Sequence, residues 1–131
     1  MIYYHVTPAK NVASILRHGL VPKGAGSREG YSPVLKHTAR IYLWTSLKSA
    51  YFFMDEMSEY REEPHELAVL EVTVPQSMRL YADPEMGLDL SDGGFIRGII
   101  QPSYIKLLDV VAVNEPGLPT VMERKYPRGV K

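Results

Sequence analysis

The opening 22 residues allow very few local structures. Ile2, Tyr3 and Tyr4 are β-branched or aromatic, so the chain should begin as a pleated, half-buried strand. Val12, Ile15 and Leu16 then recur at helical spacing and give one apolar face. Arg17 and His18 fall in the last turn, Gly19 suits the position just past the helix, and Pro22 prevents its continuation. Thr7 is the expected N-cap, with Pro8 at the first helical position, where a missing N–H costs nothing. His5 and Thr7 lie two apart, so on a strand they project to one side. An imidazole and a hydroxyl thus share the open end of a strand ahead of a helix, an arrangement suited to a ligand edge.

The rest of the chain supplies further strands and a second helix. Residues 23–40 hold three glycines and a proline without a clean period, and read as a long loop. Ile41–Ser46 is a second strand, and Ser46 can cap a helix running to about Tyr60. Leu47, Ala50, Tyr51, Met54 and Met57 form the apolar side of that helix. Leu67–Val74 has the strongest strand pattern, with Leu70, Val72 and Val74 facing one way and Val69, Glu71 and Thr73 the other. Met78–Ala82 suits a short strand, and Asp83-Pro84 opens a turn. Ser91-Asp-Gly-Gly94 is a tight turn, and Phe95–Ile100 and Lys106–Val113 are two more strands. From about residue 114 the chain is expected to be mostly irregular. Residues 1–131 are expected to form a single domain: an α+β sandwich or split barrel of five or six strands with two main helices.

Composition narrows the function classes. With 45% hydrophobic and 23% charged residues, the chain is of ordinary globular type. It has no cysteine, which excludes disulfides, thiolate chemistry and cysteine-ligated zinc. His18, His37 and His65 do not cluster with carboxylates at ligand spacing, so no metal is expected. No apolar run nears the roughly 20 residues that span a bilayer, so no membrane partner is expected and a cytoplasmic location is the default. Net charge is zero but unevenly placed. Residues 1–50 carry seven Lys/Arg against Glu29, whereas residues 51–131 carry eight against fourteen Asp/Glu. A basic first half suits a phosphate-bearing ligand, including nucleic acid, because cations concentrate and position anions.

Tyr4-His-Val-Thr-Pro8, Ile15-Leu-Arg-His-Gly-Leu-Val-Pro22, Ile41-Tyr-Leu-Trp-Thr-Ser46 and Ser49-Ala-Tyr51, in that order, resemble the ADP-ribosyltransferase superfamily. The likeness is to its diphtheria-toxin-like branch, which includes poly(ADP-ribose) polymerases, bacterial DNA-modifying toxins and RNA 2′-phosphotransferases. It covers roughly residues 2–110. The resemblance implies an ADP-ribosyltransferase-like split β-sandwich and NAD as substrate, without a metal. It further implies that His5 bonds the nicotinamide ribose, Thr7 contacts the adenine-side ribose, and Tyr42 stacks on the nicotinamide with Tyr51 on the other side. Val6 stands where many relatives have glycine, but its backbone can supply the same carboxamide contact. Arg28 and Arg40 are the loop cations expected nearest the pyrophosphate.

One expected group is missing. Aligning the family's last motif on Phe95–Ile105 puts its glutamate near Gly93 or Gly94, and no glutamate lies there. Asp92 is the nearest carboxylate, and Arg97 is the candidate if arginine replaces glutamate, as in the RNA 2′-phosphotransferases. Those enzymes, however, carry a basic residue where this chain has Tyr3-Tyr4. The implied activity is mono-ADP-ribosyl transfer from NAD to a protein, nucleic acid or small-molecule acceptor. Its alternatives are RNA 2′-phosphate transfer to NAD and a non-catalytic module that binds NAD, ADP-ribose or nucleic acid. Taken without the resemblance, His5, Tyr42 and Tyr51 are ordinary strand and core residues, and Asp92 is a turn former.

Overall fold

The structure, a computed structural model, describes residues 1–22 and 40–127. Strand β1 (Ile2–Pro8) passes through a 3-10 turn (Ala9–Asn11) into helix α1 (Val12–His18). Strand β2 (Ile41–Trp44) precedes helix α2 (Leu47–Ser58), and β3 (His65–Thr73), β4 (Gly93–Ile96), β5 (Ile105–Val113) and helix α3 (Val121–Lys125) follow. The five strands make one antiparallel sheet in the order β4-β2-β1-β3-β5. The fold class is therefore mixed α+β, as the patterning predicts.

Both faces of the sheet are covered, which follows from strand alternation. Val6, Trp44, Leu67, Val69, Val111 and Val113 pack beneath α2 and α3 with Ala50, Tyr51, Met54 and Val121. Ile41, Leu43, Leu70, Val72, Val74, Ile96 and Ile105 build the opposite core with Leu20 and Ile100, and Ile15 of α1 packs against it. A register shift in the β3–β5 ladder, after Val69↔Asp109, adds Leu108 to β5. An extra residue exchanges the faces of a strand. Ile105 therefore serves one core, while Val111 and Val113 serve the other.

Helix α2 is built as its sequence predicts: the Ser46 hydroxyl accepts the Ser49 N–H at 3.1 Å. At the end of α1, Gly19 has φ +86°, and a Cβ there would collide with the Ile100 carbonyl. That close approach lets Leu20 and Ile100 exchange two backbone hydrogen bonds at 2.9 Å.

Three local expectations are corrected. Thr7 is not an N-cap, because β1 stays paired with β3 through Thr7↔Ala68 and Pro8↔Leu67 and holds both residues extended. Residues 78–82 contribute one bridge, Tyr81↔Phe95, rather than a strand. Gly93 and Gly94 open β4 instead of closing a turn, and β4 ends at Ile96, short of Ile100. Between residues 114 and 127 the chain is irregular apart from α3, whose Thr120 and Glu123 form a reciprocal capping box.

Candidate ligand cavity between the first two strands

The sheet opens between β1 and β2. β1 matches β3 at every residue from Ile2↔Thr73 to Pro8↔Leu67. Its register with β2 is the single pair Tyr4↔Trp44. Past that pair the His5 ring spans the gap, its Nδ1 lying 2.8 Å from the Tyr42 carbonyl oxygen. A carbonyl accepts and never donates, so Nδ1 carries the proton. The imidazole thus bonds where a ladder hydrogen bond would otherwise lie.

A cavity of about 660 Å³ occupies this opening. His5, Val6, Thr7, Arg40 and Tyr42 all line it. Lys10, Asn11, Ser14 and His18 border it from the α1 side, and Trp44, Phe53 and Met57 from the α2 side. The volume falls within the roughly 300–1,000 Å³ typical of small-molecule and cofactor sites. Trp44 and Phe53 rings lie 4.4 Å apart at 35°, giving one wall a broad π surface. Lys10, Arg40 and His18 provide positive charge or donors, and among the described residues no Asp or Glu lines the cavity. Such a lining accepts a planar ring at one end and anionic groups at the other.

Tyr42 and Arg40 are held by a carboxylate the sequence reading treats as a turn residue. Asp83 is 2% exposed. One of its oxygens, Oδ2, accepts from Arg40 Nη1 at 2.7 Å and from the Tyr42 hydroxyl at 2.6 Å. Burial, reinforced by the bond to Asp83, raises the Tyr42 phenol above its ordinary pKa, so the ring stays neutral. Arg40 also lies 4.2 Å over the Phe95 ring, and its buried Nε has no hydrogen-bond partner among the described residues. Asp83 reaches this position because Tyr81 bridges to Phe95, the β4 partner of Tyr42. The spacing of Arg40, Tyr42 and Asp83 along the chain carries no sign of this.

Thr7 is buried, and its hydroxyl accepts from Asn11 Nδ2 at 3.3 Å. Tyr51 does not line the cavity. It packs in the α2 core, donates to Asp109 Oδ2 at 2.8 Å and meets the Tyr126 ring edge-on at 6.4 Å. Trp44 and Phe53, rather than Tyr51, line the cavity from the α2 side. Asp92 is exposed, accepts from Ser49 Oγ at 3.3 Å, and is not among the lining residues. Arg97 lies on the outer edge, 5.3 Å over the Tyr81 ring, also away from the cavity. Arg28 lies outside the described residues.

The glycines at the expected glutamate position are sterically required. A Cβ on Gly93 would lie 2.6 Å from the Leu43 carbonyl oxygen and 2.8 Å from the Trp44 ring. On Gly94 it would collide with the Tyr81 carbonyl oxygen. No longer side chain fits at either residue without displacing backbone.

Among the described residues, no group of three or more His, Asp or Glu could hold a metal ion, and no helix is long and apolar enough to cross a membrane. No family model matches the chain, and neither the curated proteins nor the solved structures searched give a match.

Proposed function

We propose that the cavity binds NAD and that the protein transfers ADP-ribose from it to an acceptor, as a mono-ADP-ribosyltransferase with the split β-sandwich of that superfamily. One observation carries the reading. His5, Val6, Thr7, Arg40 and Tyr42, assigned to NAD from the sequence, converge on a single cavity at the opening between β1 and β2. Tyr42, Trp44 and Phe53 offer faces for the nicotinamide, and fixing a reacting ring between them supplies orientation. Lys10, Arg40 and the His18 ring suit the pyrophosphate. In the reaction the bond between nicotinamide and ribose C1′ breaks, its electron pair leaving with the nicotinamide. The acceptor nucleophile bonds to C1′ and gives up its proton.

Among the described residues no Asp or Glu lines the cavity, which favours a second reading, a module that binds NAD or ADP-ribose without turnover. A carboxylate on the ribose stabilises the positive charge that develops as nicotinamide leaves, and loss of such a group typically costs about 10²–10³ in rate.

Incubating the protein with NAD and measuring free nicotinamide, with and without single-stranded DNA, RNA and protein acceptors, separates the readings. Acceptor-dependent release is expected, and His5→Ala should weaken NAD binding about tenfold through loss of a hydrogen bond. Saturable NAD binding without release under any condition would establish the module instead. Release confined to 2′-phosphorylated RNA would point to phosphate transfer. Absence of NAD binding would overturn both readings.

A further inference from the structure

Tyr81 extends the sheet past β4. Its N–H donates to the Phe95 carbonyl at 2.8 Å and its carbonyl accepts the Phe95 N–H at 2.9 Å. Its ring stacks on Phe95, with centroids 5.5 Å apart and planes 25° apart, yet the residue remains 37% exposed. The guanidiniums of Arg79 and Arg97 each lie 5.3 Å from the Tyr81 ring centroid. Both arginines are exposed, and neither has an ion-pair partner among the described residues. Phe95 also lies under Arg40, which lines the cavity. Phe95, itself buried, thus connects the exposed Arg79, Tyr81 and Arg97 edge with Arg40 at the cavity wall.

This edge is matched to a particular polymer. Two exposed arginines, each 5.3 Å from one ring centroid and without an ion-pair partner among the described residues, leave positive charge available to an anion. The Tyr81 ring, stacked on Phe95 and flanked by the two guanidiniums, keeps an exposed part that a base can contact. An acidic peptide would supply anions but few planar faces, and a duplex keeps its bases stacked internally. A single strand supplies phosphates and unstacked bases together, the combination that aromatic and basic grooves bind without reading sequence.

We propose that the edge formed by Arg79, Tyr81 and Arg97 binds single-stranded nucleic acid, and that this strand is the acceptor presented to the cavity. The arginines contact phosphates and a base stacks against Tyr81. The acceptor role rests on the NAD reading, whereas strand binding does not.

Fluorescence anisotropy with labelled single-stranded DNA and RNA of mixed sequence, about 15 nucleotides long, tests the site directly. Saturable binding is expected, weaker for the matching duplex and falling with salt. Arg79→Gln with Arg97→Gln should reduce the log–log salt slope by about 1.4, or about 0.7 per lost phosphate contact. Tyr81→Ala should weaken binding about tenfold. Melting temperature close to wild type will show that these exposed substitutions leave the fold intact. No binding, binding indifferent to all three substitutions, or tighter binding of a polyglutamate peptide through the same residues overturns the proposal. NAD affinity of Arg79→Gln should stay at the wild-type value. Strand binding by a protein that does not bind NAD would keep the edge site and remove the acceptor role. NAD binding without strand binding would remove the edge site alone.

Discussion

Asp83 concentrates more consequence in one side chain than any residue chosen from the sequence. It is buried, and a single oxygen holds both Arg40 and Tyr42. Removing one member of a buried ion pair leaves the other charge uncompensated, which is more costly than the pair itself is favourable. Asp83→Asn should therefore destabilise the protein by about 3 kcal/mol, read as a lower urea midpoint at unchanged slope. Tyr42→Phe removes one donor and keeps the ring, so it should cost about 1 kcal/mol and leave NAD affinity within a few-fold of wild type. A large loss of NAD affinity in Tyr42→Phe would mean that the hydroxyl, rather than the aromatic face, contacts the ligand. No reading of the linear chain could reach this arrangement. Asp83-Pro84 reads as a turn signal, and it does precede a 3-10 turn (Pro84–Met86). The carboxylate's partners, however, come from 41 and 43 residues away.

Elements whose stability is local were legible in the chain. Helix α2 shows its Ser46 cap and apolar stripe, and β3 and β5 show short runs rich in Leu, Ile and Val. Elements fixed by pairing were not. Thr7 and Pro8 have good helix-start chemistry, yet the β3 ladder keeps them extended. The start of β4 uses glycines because the Leu43, Trp44 and Tyr81 groups leave no room for a side chain. The same contrast applies to the site. The His5, Thr7 and Tyr42 cluster was visible as a motif, but Tyr51, on the buried face of α2, serves the packing of α3. Two predictions belong at this scale. Installing the missing carboxylate by Gly94→Glu should destabilise by at least about 2 kcal/mol through overpacking instead of raising activity. A folded, more active Gly94→Glu would refute the close packing at β4. Helix α3 is anchored by Asp55 of α2, whose two oxygens accept the Val121 and Met122 N–H groups at 2.8 and 2.9 Å. Asp55→Ala should cost about 1–2 kcal/mol and speed amide exchange at Val121 and Met122 before exchange in the sheet changes.

Across the whole molecule, one junction ties three elements together and sets a pH dependence. Asp109 of β5 accepts from Tyr51 of α2 at 2.8 Å and from Lys125 of α3 at 2.6 Å, both at Oδ2. Partial burial by itself would raise the Asp109 carboxyl, but the bonds from Lys125 and Tyr51 outweigh it and hold the group below its ordinary range. Burial, with the bond to Asp109 adding to it, pushes the Tyr51 phenol well above its usual value. The two shifts act at opposite ends of the pH scale. A lowered carboxyl stabilises the fold fully above its unfolded pKa, about 3.9, and that contribution is lost as pH falls through the folded value. A raised phenol stabilises it fully below about pH 10, because the folded state then retains a proton that the unfolded chain releases as pH rises further. Urea midpoints measured against pH should thus fall away on both sides. Asp109→Asn should flatten the acid limb. Tyr51→Phe should flatten the alkaline limb while leaving Asp109 paired with Lys125. An alkaline limb unchanged in Tyr51→Phe would assign it to another group, and Tyr42, raised in the same direction at the cavity, provides the next test through Tyr42→Phe.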